Sequence, residues 1–155
     1  MRPVRISPGP GQESVWDYPR PPAVEPTSAR VRVVHGGVTL ADTRAAVRVL
    51  ETSQPPAFYL PRTDVAAEHL VPGRGRSFCE WKGAATYWTV VVGDGTVVDA
   101  AWSYERPTTR FGSIAGHLAF YARLVDECWV DDERVVANPG NFYGGWITSQ
   151  VVGPF

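Results

Sequence analysis

The chain has 155 residues, a length that suits one domain and leaves no room for two full ones. Its apolar share of 44% and charged share of 20% are those of an ordinary globular protein. Fifteen basic residues against sixteen acidic ones give a net charge of −1, which argues against a nucleic-acid polymer as partner, and no apolar run approaches the roughly 18 residues of a membrane span.

Residues 1–28 hold seven of the fourteen prolines, so this arm is expected to be extended and not helical. Its WDYPRPP run (residues 16–22) either packs on its own domain or meets a partner. No apolar signal segment opens the chain, and a cytoplasmic setting is the expectation. Residues 29–155 read as a single β domain. RVRVV (30–34) alternates as a half-buried strand, His35-Gly36-Gly37 marks a tight turn, and 38–41 is the return strand. TRAAVRVLE (43–51) fits a helix capped by Thr43 or a strand, and Val47, Val49 and Pro55-Pro56 favour the strand.

AFYL (57–60) reads as a short buried strand, and PRTDVAAEHL (61–70) predicts a short helix with Thr63 or Asp64 near its N-cap. Residues 77–81 read as a strand. TYWTVVV (86–92) and TVVDAAW (96–102) flank Gly93-Asp94-Gly95, the clearest hairpin signal. GSIAGHLAFY (112–121) predicts a short helix, or a turn that feeds a strand. Residues 128–130 and 134–136 flank a second hairpin-like turn at Asp131-Asp132-Glu133, and the tail from Asn138 reads as an ordered, irregular cap. The fold class is therefore mainly β: a compact antiparallel barrel, or two sheets on one core, with one or two short helices.

Fourteen of the fifteen basic residues are Arg, and Lys82 is the single lysine. Lysine is a compact charge whose pKa falls on burial, whereas arginine stays charged. Lys82 lies in the densest run of chemistry, SFCEWKG (77–83), followed by Tyr87 and Trp88. Strand alternation would put Cys79 and Trp81 on one face and Glu80 and Lys82 on the other. Gly83 would allow a bend or a close backbone approach. This run is either a pocket floor with Lys82 as its cation or a buried Lys–Glu pair in an aromatic core.

Arg62 can grip an anion with two parallel hydrogen bonds, or pair with Glu51 or Asp64. Trp102 and Tyr104 end the strand opposite Tyr87 and Trp88, so the hairpin should gather the rings. Cys79 lacks a catalytic-cysteine signature and reads as an inert thiol, and His117 as a structural histidine.

Five ordered pieces carry a family resemblance: VLETSQPP (49–56), YLPRTDV (59–65), CEWKGAATYW (79–88), AWSY (101–104) and AGHLAFY (115–121). They resemble the bacterial domain-of-unknown-function family 427, sometimes labelled nucleotidyltransferase-like. The likeness runs from WDYPRPP (16–22) to FYGGW (142–146), and that arm and tail look like an actinobacterial branch. The resemblance implies a mostly antiparallel β domain of the small barrel or tent-like kind, and no settled activity. Its motifs concentrate on Arg62, Asp64, Cys79, Lys82, Tyr87, Trp102 and Tyr104.

The expected function is the binding of an anionic small molecule: a phosphate, a nucleotide or an acidic metabolite. Lys82 and Arg62 would hold the charge among Tyr87, Trp88, Trp102 and Tyr104, with Asp64 in the same set and Glu51, Cys79 and His117 accessory. No metal, cofactor or catalytic residue is assigned. One alternative is an enzyme using Lys82 as general base or amine nucleophile, positioned by Asp64 or Glu51. Another is a structural or protein-interaction module that uses the arm. The arm and the tail would also suit a homodimer interface.

Overall fold

Short runs of β-branched residues broken by glycine and proline dictate short strands. The computed structural model describes residues 4–139 and 144–155. Within the arm, Glu13–Ser14 (β1), a 3-10 turn at Val15–Asp17 and Ala23–Pro26 (β2) are ordered against the rest of the chain. Val31–His35 (β3) turns at Gly36 and Gly37, at φ +57° and +76°, into Val38–Thr43 (β4). The left-handed turn that the paired glycines predict is present.

The ambiguous stretch that follows resolves as strand Val47–Leu50 (β5), paired with β2 on one side and with Ala57–Tyr59 (β6) on the other. Thr43 is not a helix cap: its hydroxyl donates to Asp64 at 2.7 Å and accepts the Ala45 N–H at 3.0 Å.

The helix predicted over 61–70 is not formed. Two 3-10 turns, Arg62–Asp64 and Ala67–His69, stand there instead. The segment is tied to β4 by three links, which end helical winding after one turn. Asp64 accepts from Thr43, Val65 bridges Ala41, and the Ala66 N–H donates to the Leu40 carbonyl at 2.7 Å.

The best-patterned part of the sequence makes the largest sheet. Leu70–Cys79 (β7), Gly83–Val92 (β8) and Gly95–Ser103 (β9) are antiparallel neighbours, and Ala119–Phe120 (β10) joins β9 after a 3-10 segment at Thr109–Ile114. Glu127–Val130 (β11) and Glu133–Arg134 (β12) form the second predicted hairpin, and β11 pairs with β3. Val136–Ala137 (β13) pairs with Trp146–Ile147 (β14), and Val151–Val152 (β15) runs parallel to β1. The irregular tail thus carries two short strands, while Phe142 and Tyr143 lie outside the described residues.

The fold is mainly β and antiparallel, as the sequence implies. Among the described residues its strands form separate sheets, ordered β10-β9-β8-β7, β12-β11-β3-β4 and β2-β5-β6 with two small pairs, and no closed barrel. Alternation along the strands sorts side chains into two main cores. Val31, Val33, Leu60, Val90, Ala101, Phe120 and Trp146 build the first. Val47, Val49, Tyr59, Trp102, Tyr104, Phe111 and Tyr121 build the second, which is rich in rings. Each fully buried large aliphatic or Phe side chain contributes roughly 1.5–3 kcal/mol of transfer free energy. No helix among the described residues is long and apolar enough to cross a membrane.

Candidate functional site

The second core opens into a cavity of about 660 Å³. Val49, Glu51, Ala57 and Tyr59 supply one wall, from β5, β6 and the loop between them. Ser77–Cys79 at the end of β7 and the 80–82 turn supply a second. Tyr87 on β8 and Val98, Asp99 and Trp102 on β9 line the sheet side, joined by Tyr104, Tyr121, Arg123 and the tail residues Gly144 and Gly145.

Local chain chemistry delivers Lys82 to this space. Cys79 pairs with Gly83, so residues 80–82 form a three-residue hairpin loop and not a continuing strand. The expected alternation therefore fails here, and Cys79, Glu80, Trp81 and Lys82 all line the cavity. Gly83 sits at φ +104°, the backbone value that closes the loop and that side-chain-bearing residues avoid. Thr108 clamps the loop from outside: its hydroxyl donates to the Trp81 carbonyl at 2.6 Å and its N–H to the Lys82 carbonyl at 3.2 Å.

Lys82 is only 8% exposed, yet it forms no ion pair with any described carboxylate. Its Nζ lies 5.6 Å from the Tyr104 ring centre and 6.0 Å from that of Phe111. Ring faces are weak partners for an ammonium, worth about 0.5–2 kcal/mol, and leave its hydrogen-bonding capacity unused. The buried Lys–Glu pair is therefore not formed.

The rings are held by one another. Trp102 Nε1 donates to the Tyr59 hydroxyl at 3.1 Å, and the Trp102 and Tyr121 ring centres are 4.5 Å apart. Tyr87 lies directly opposite Trp102 across the β8–β9 pair, and its hydroxyl shares a 2.8 Å hydrogen bond with Ser77. Burial pushes the Tyr59, Tyr104 and Tyr121 phenols above the ordinary tyrosine range. They stay protonated at neutral pH and keep an O–H to donate.

Of the residues singled out in the sequence, Lys82, Tyr87, Trp102, Tyr104, Cys79 and Glu51 meet at the cavity. Four do not. Trp88 follows Tyr87 and so points to the opposite face, where its Nε1 donates to Ser103 at 2.9 Å. Ser103 in turn donates to Glu105, which receives both arms of the Arg62 fork at 3.0 and 3.1 Å. Arg62 lies over the Trp88 ring, 5.3 Å from its centre. Arg62 thus belongs to a network outside the cavity, and its partner is neither Glu51 nor Asp64. Asp64 is held by Thr43 on β4. His117 bonds the nearby Ala115 carbonyl through Nδ1 at 3.2 Å. Glu51 faces Arg20 at 3.6 Å, so neither carboxylate expected to position Lys82 contacts it.

Sequence reasoning passed over Tyr59, Tyr121, Asp99 and Arg123, all on the cavity. Asp99 had a signal: a carboxylate inside the apolar run TVVDAAW breaks the strand pattern. It sits at φ +55° and its two oxygens accept the Arg74 and Gly75 N–H groups at 2.7 and 2.8 Å. Tyr121 had none, because its wall position follows from β10 pairing with β9. Arg123 stands over the Tyr121 ring, 5.0 Å from its centre.

The sequence model described as a domain of unknown function (DUF427) matches residues 23–131, more than two thirds of the chain. The chain belongs to this family. The DUF427 match covers all five ordered motifs and most of the cavity wall, including Lys82 and its loop. The WDYPRPP arm and the tail walls Gly144 and Gly145 fall outside it. No relative among curated proteins matches the chain.

Proposed function

We propose that this DUF427 protein is a binding domain for a small anionic molecule, held by Lys82 in the aromatic-walled cavity. One observation carries the reading: Lys82, 8% exposed and without an ion pair to any described carboxylate, lines a cavity large enough for a metabolite. A buried charge without a partner is costly, and an incoming anion would supply that partner. Trp102, Tyr104 and Tyr121 are buried and shape the floor, whereas Trp81 and Tyr87 are half-buried and leave ring surface open to a ligand. Arg62 has no part in the reading, since Glu105 already satisfies it. A cytoplasmic setting, where Cys79 and Cys128 stay reduced, fits it.

The test is a thermal-shift screen of acidic metabolites, nucleotides and inorganic phosphate against the wild type and Lys82→Gln. At a hundredfold excess over Kd a ligand stabilises by about 2.7 kcal/mol, which raises Tm by several degrees. At least one anion should do this to the wild type, and Lys82→Gln should abolish the shift. If no anion raises Tm, or if the variant keeps the full shift, the reading is wrong.

A further inference from the structure

Resting on that reading, we infer that the ligand is a planar aromatic monocarboxylate, its carboxylate on Lys82 and its ring against Trp81 and Tyr87. A phosphate group carries up to two charges and three strong acceptor oxygens, and proteins usually meet it with several converging donors. Arginine forks, helix N-termini and glycine-rich loops are the usual means. Among the described residues neither the Arg62 fork nor a helix N-terminus converges with Lys82, and of the glycine-bearing tail only Gly144 and Gly145 reach the cavity. The Arg62 fork is spent on Glu105 outside the cavity. The helical segment whose Phe111 lies near Lys82 is a 3-10 stretch of six residues, too short to present an anion-binding end. The other cation of the lining, Arg123, is exposed and rests on the Tyr121 ring.

Charge balance points the same way. Glu51, Glu80 and Asp99 line the cavity, three carboxylates against two cations. A monoanion exchanges its water for the Lys82 ammonium, whereas a dianion adds repulsion from this lining. Tyr104 also lines the cavity, its ring centre 5.6 Å from Lys82 Nζ, and its protonated phenol is a neutral second donor, enough for a carboxylate. Phe78, 77% exposed at the rim, adds apolar surface where the far edge of a ring would lie.

Calorimetric titration of the full chain with indole-3-acetate, indole-3-acetamide, acetate, adenosine monophosphate and inorganic phosphate tests this without any variant. The aryl acid should bind at least about tenfold more tightly than each of the other four, the loss expected when a charge-assisted contact or the ring surface is missing. Equal or tighter binding of adenosine monophosphate or phosphate overturns the monocarboxylate while leaving the anion reading in place. Equal binding of acetate removes the aromatic requirement, and equal binding of the neutral amide removes the ion pair with Lys82. Binding of none of the five overturns the inference, and if the wider anion screen is also blank, the reading beneath it falls too.

Discussion

A methyl group on Gly144 would lie 2.2 Å from Trp102 Cη2 and 2.6 Å from its Cζ3. Contacts this short do not occur, so either the tail or the indole must move. Trp102 is already fixed by Tyr59 and Tyr121, and shifting it disturbs the cavity floor. Gly144→Ala should therefore cost about 1–3 kcal/mol, read from urea unfolding, and change the native tryptophan emission. Gly112 has open space at the same distance and an ordinary φ, so Gly112→Ala should leave both signals within about 0.5 kcal/mol of wild type. Equal effects at the two positions would show that the tail does not press on Trp102. Lys82 shows how far a single residue speaks from sequence. Its solitude in an arginine-rich chain marked it out, but its freedom from Glu80 depends on a hairpin loop that alternation did not foresee.

At the level of elements, Asp99 governs the shape of the largest sheet. Register between β7 and β8 shifts between Pro72 and Arg76, and the Asp99 carboxylate holds the displaced Arg74 and Gly75 N–H groups. Gly73 and Gly75 are required there, since a Cβ would meet Asp99 oxygens at 2.2 and 2.8 Å. The Gly73-Arg74-Gly75-Arg76 run is therefore a bulged part of β7. Asp99→Ala leaves two backbone donors without their acceptor and should cost about 1–3 kcal/mol in urea unfolding. Asp99→Asn should cost less, because Asn tolerates the left-handed backbone and keeps one acceptor oxygen. If both variants unfold like wild type, the carboxylate does not hold the bulge. The hairpins at 36–37 and 93–95 were legible because glycine turn chemistry is local. The helix that the sequence predicts over 61–70 does not form, because the links to β4 that unwind it join residues more than twenty positions apart and leave no local signal.

Over the whole molecule, burial holds the Tyr18, Tyr59, Tyr104 and Tyr121 phenols above the ordinary tyrosine value, and pushes the Cys128 thiol up to about 12. For groups raised in this direction the protonated form is favoured by folding. Their contribution to stability is complete below the unfolded values, near 9 for the thiol and 10 for the phenols, and declines as pH climbs toward the native ones. For Tyr59 and Tyr104 the decline is on the order of 1 kcal/mol per pH unit for each phenol. Urea midpoints should thus fall steadily above pH 10, and most tyrosinate absorbance should appear together with unfolding. Smooth ionisation of these phenols in a protein that stays folded would contradict their burial.

What the residues alone determined is local: the β class, the positions of most turns, and the run around Lys82 as the place where chemistry concentrates. Turn glycines and period-two alternation act over a few neighbours, so they can be read along the chain. Which rings face which core was decided by tertiary pairing. Tyr87 and Trp88 are adjacent in sequence and part company at the sheet, one to the cavity and one to the Arg62–Glu105 network. Glu105 captures Arg62 across 43 positions, and β10 brings Tyr121 beside Trp102. Partners so distant are chosen by the packing of sheets, because an ion pair or a ring contact acts only between groups that the folded chain has already brought together.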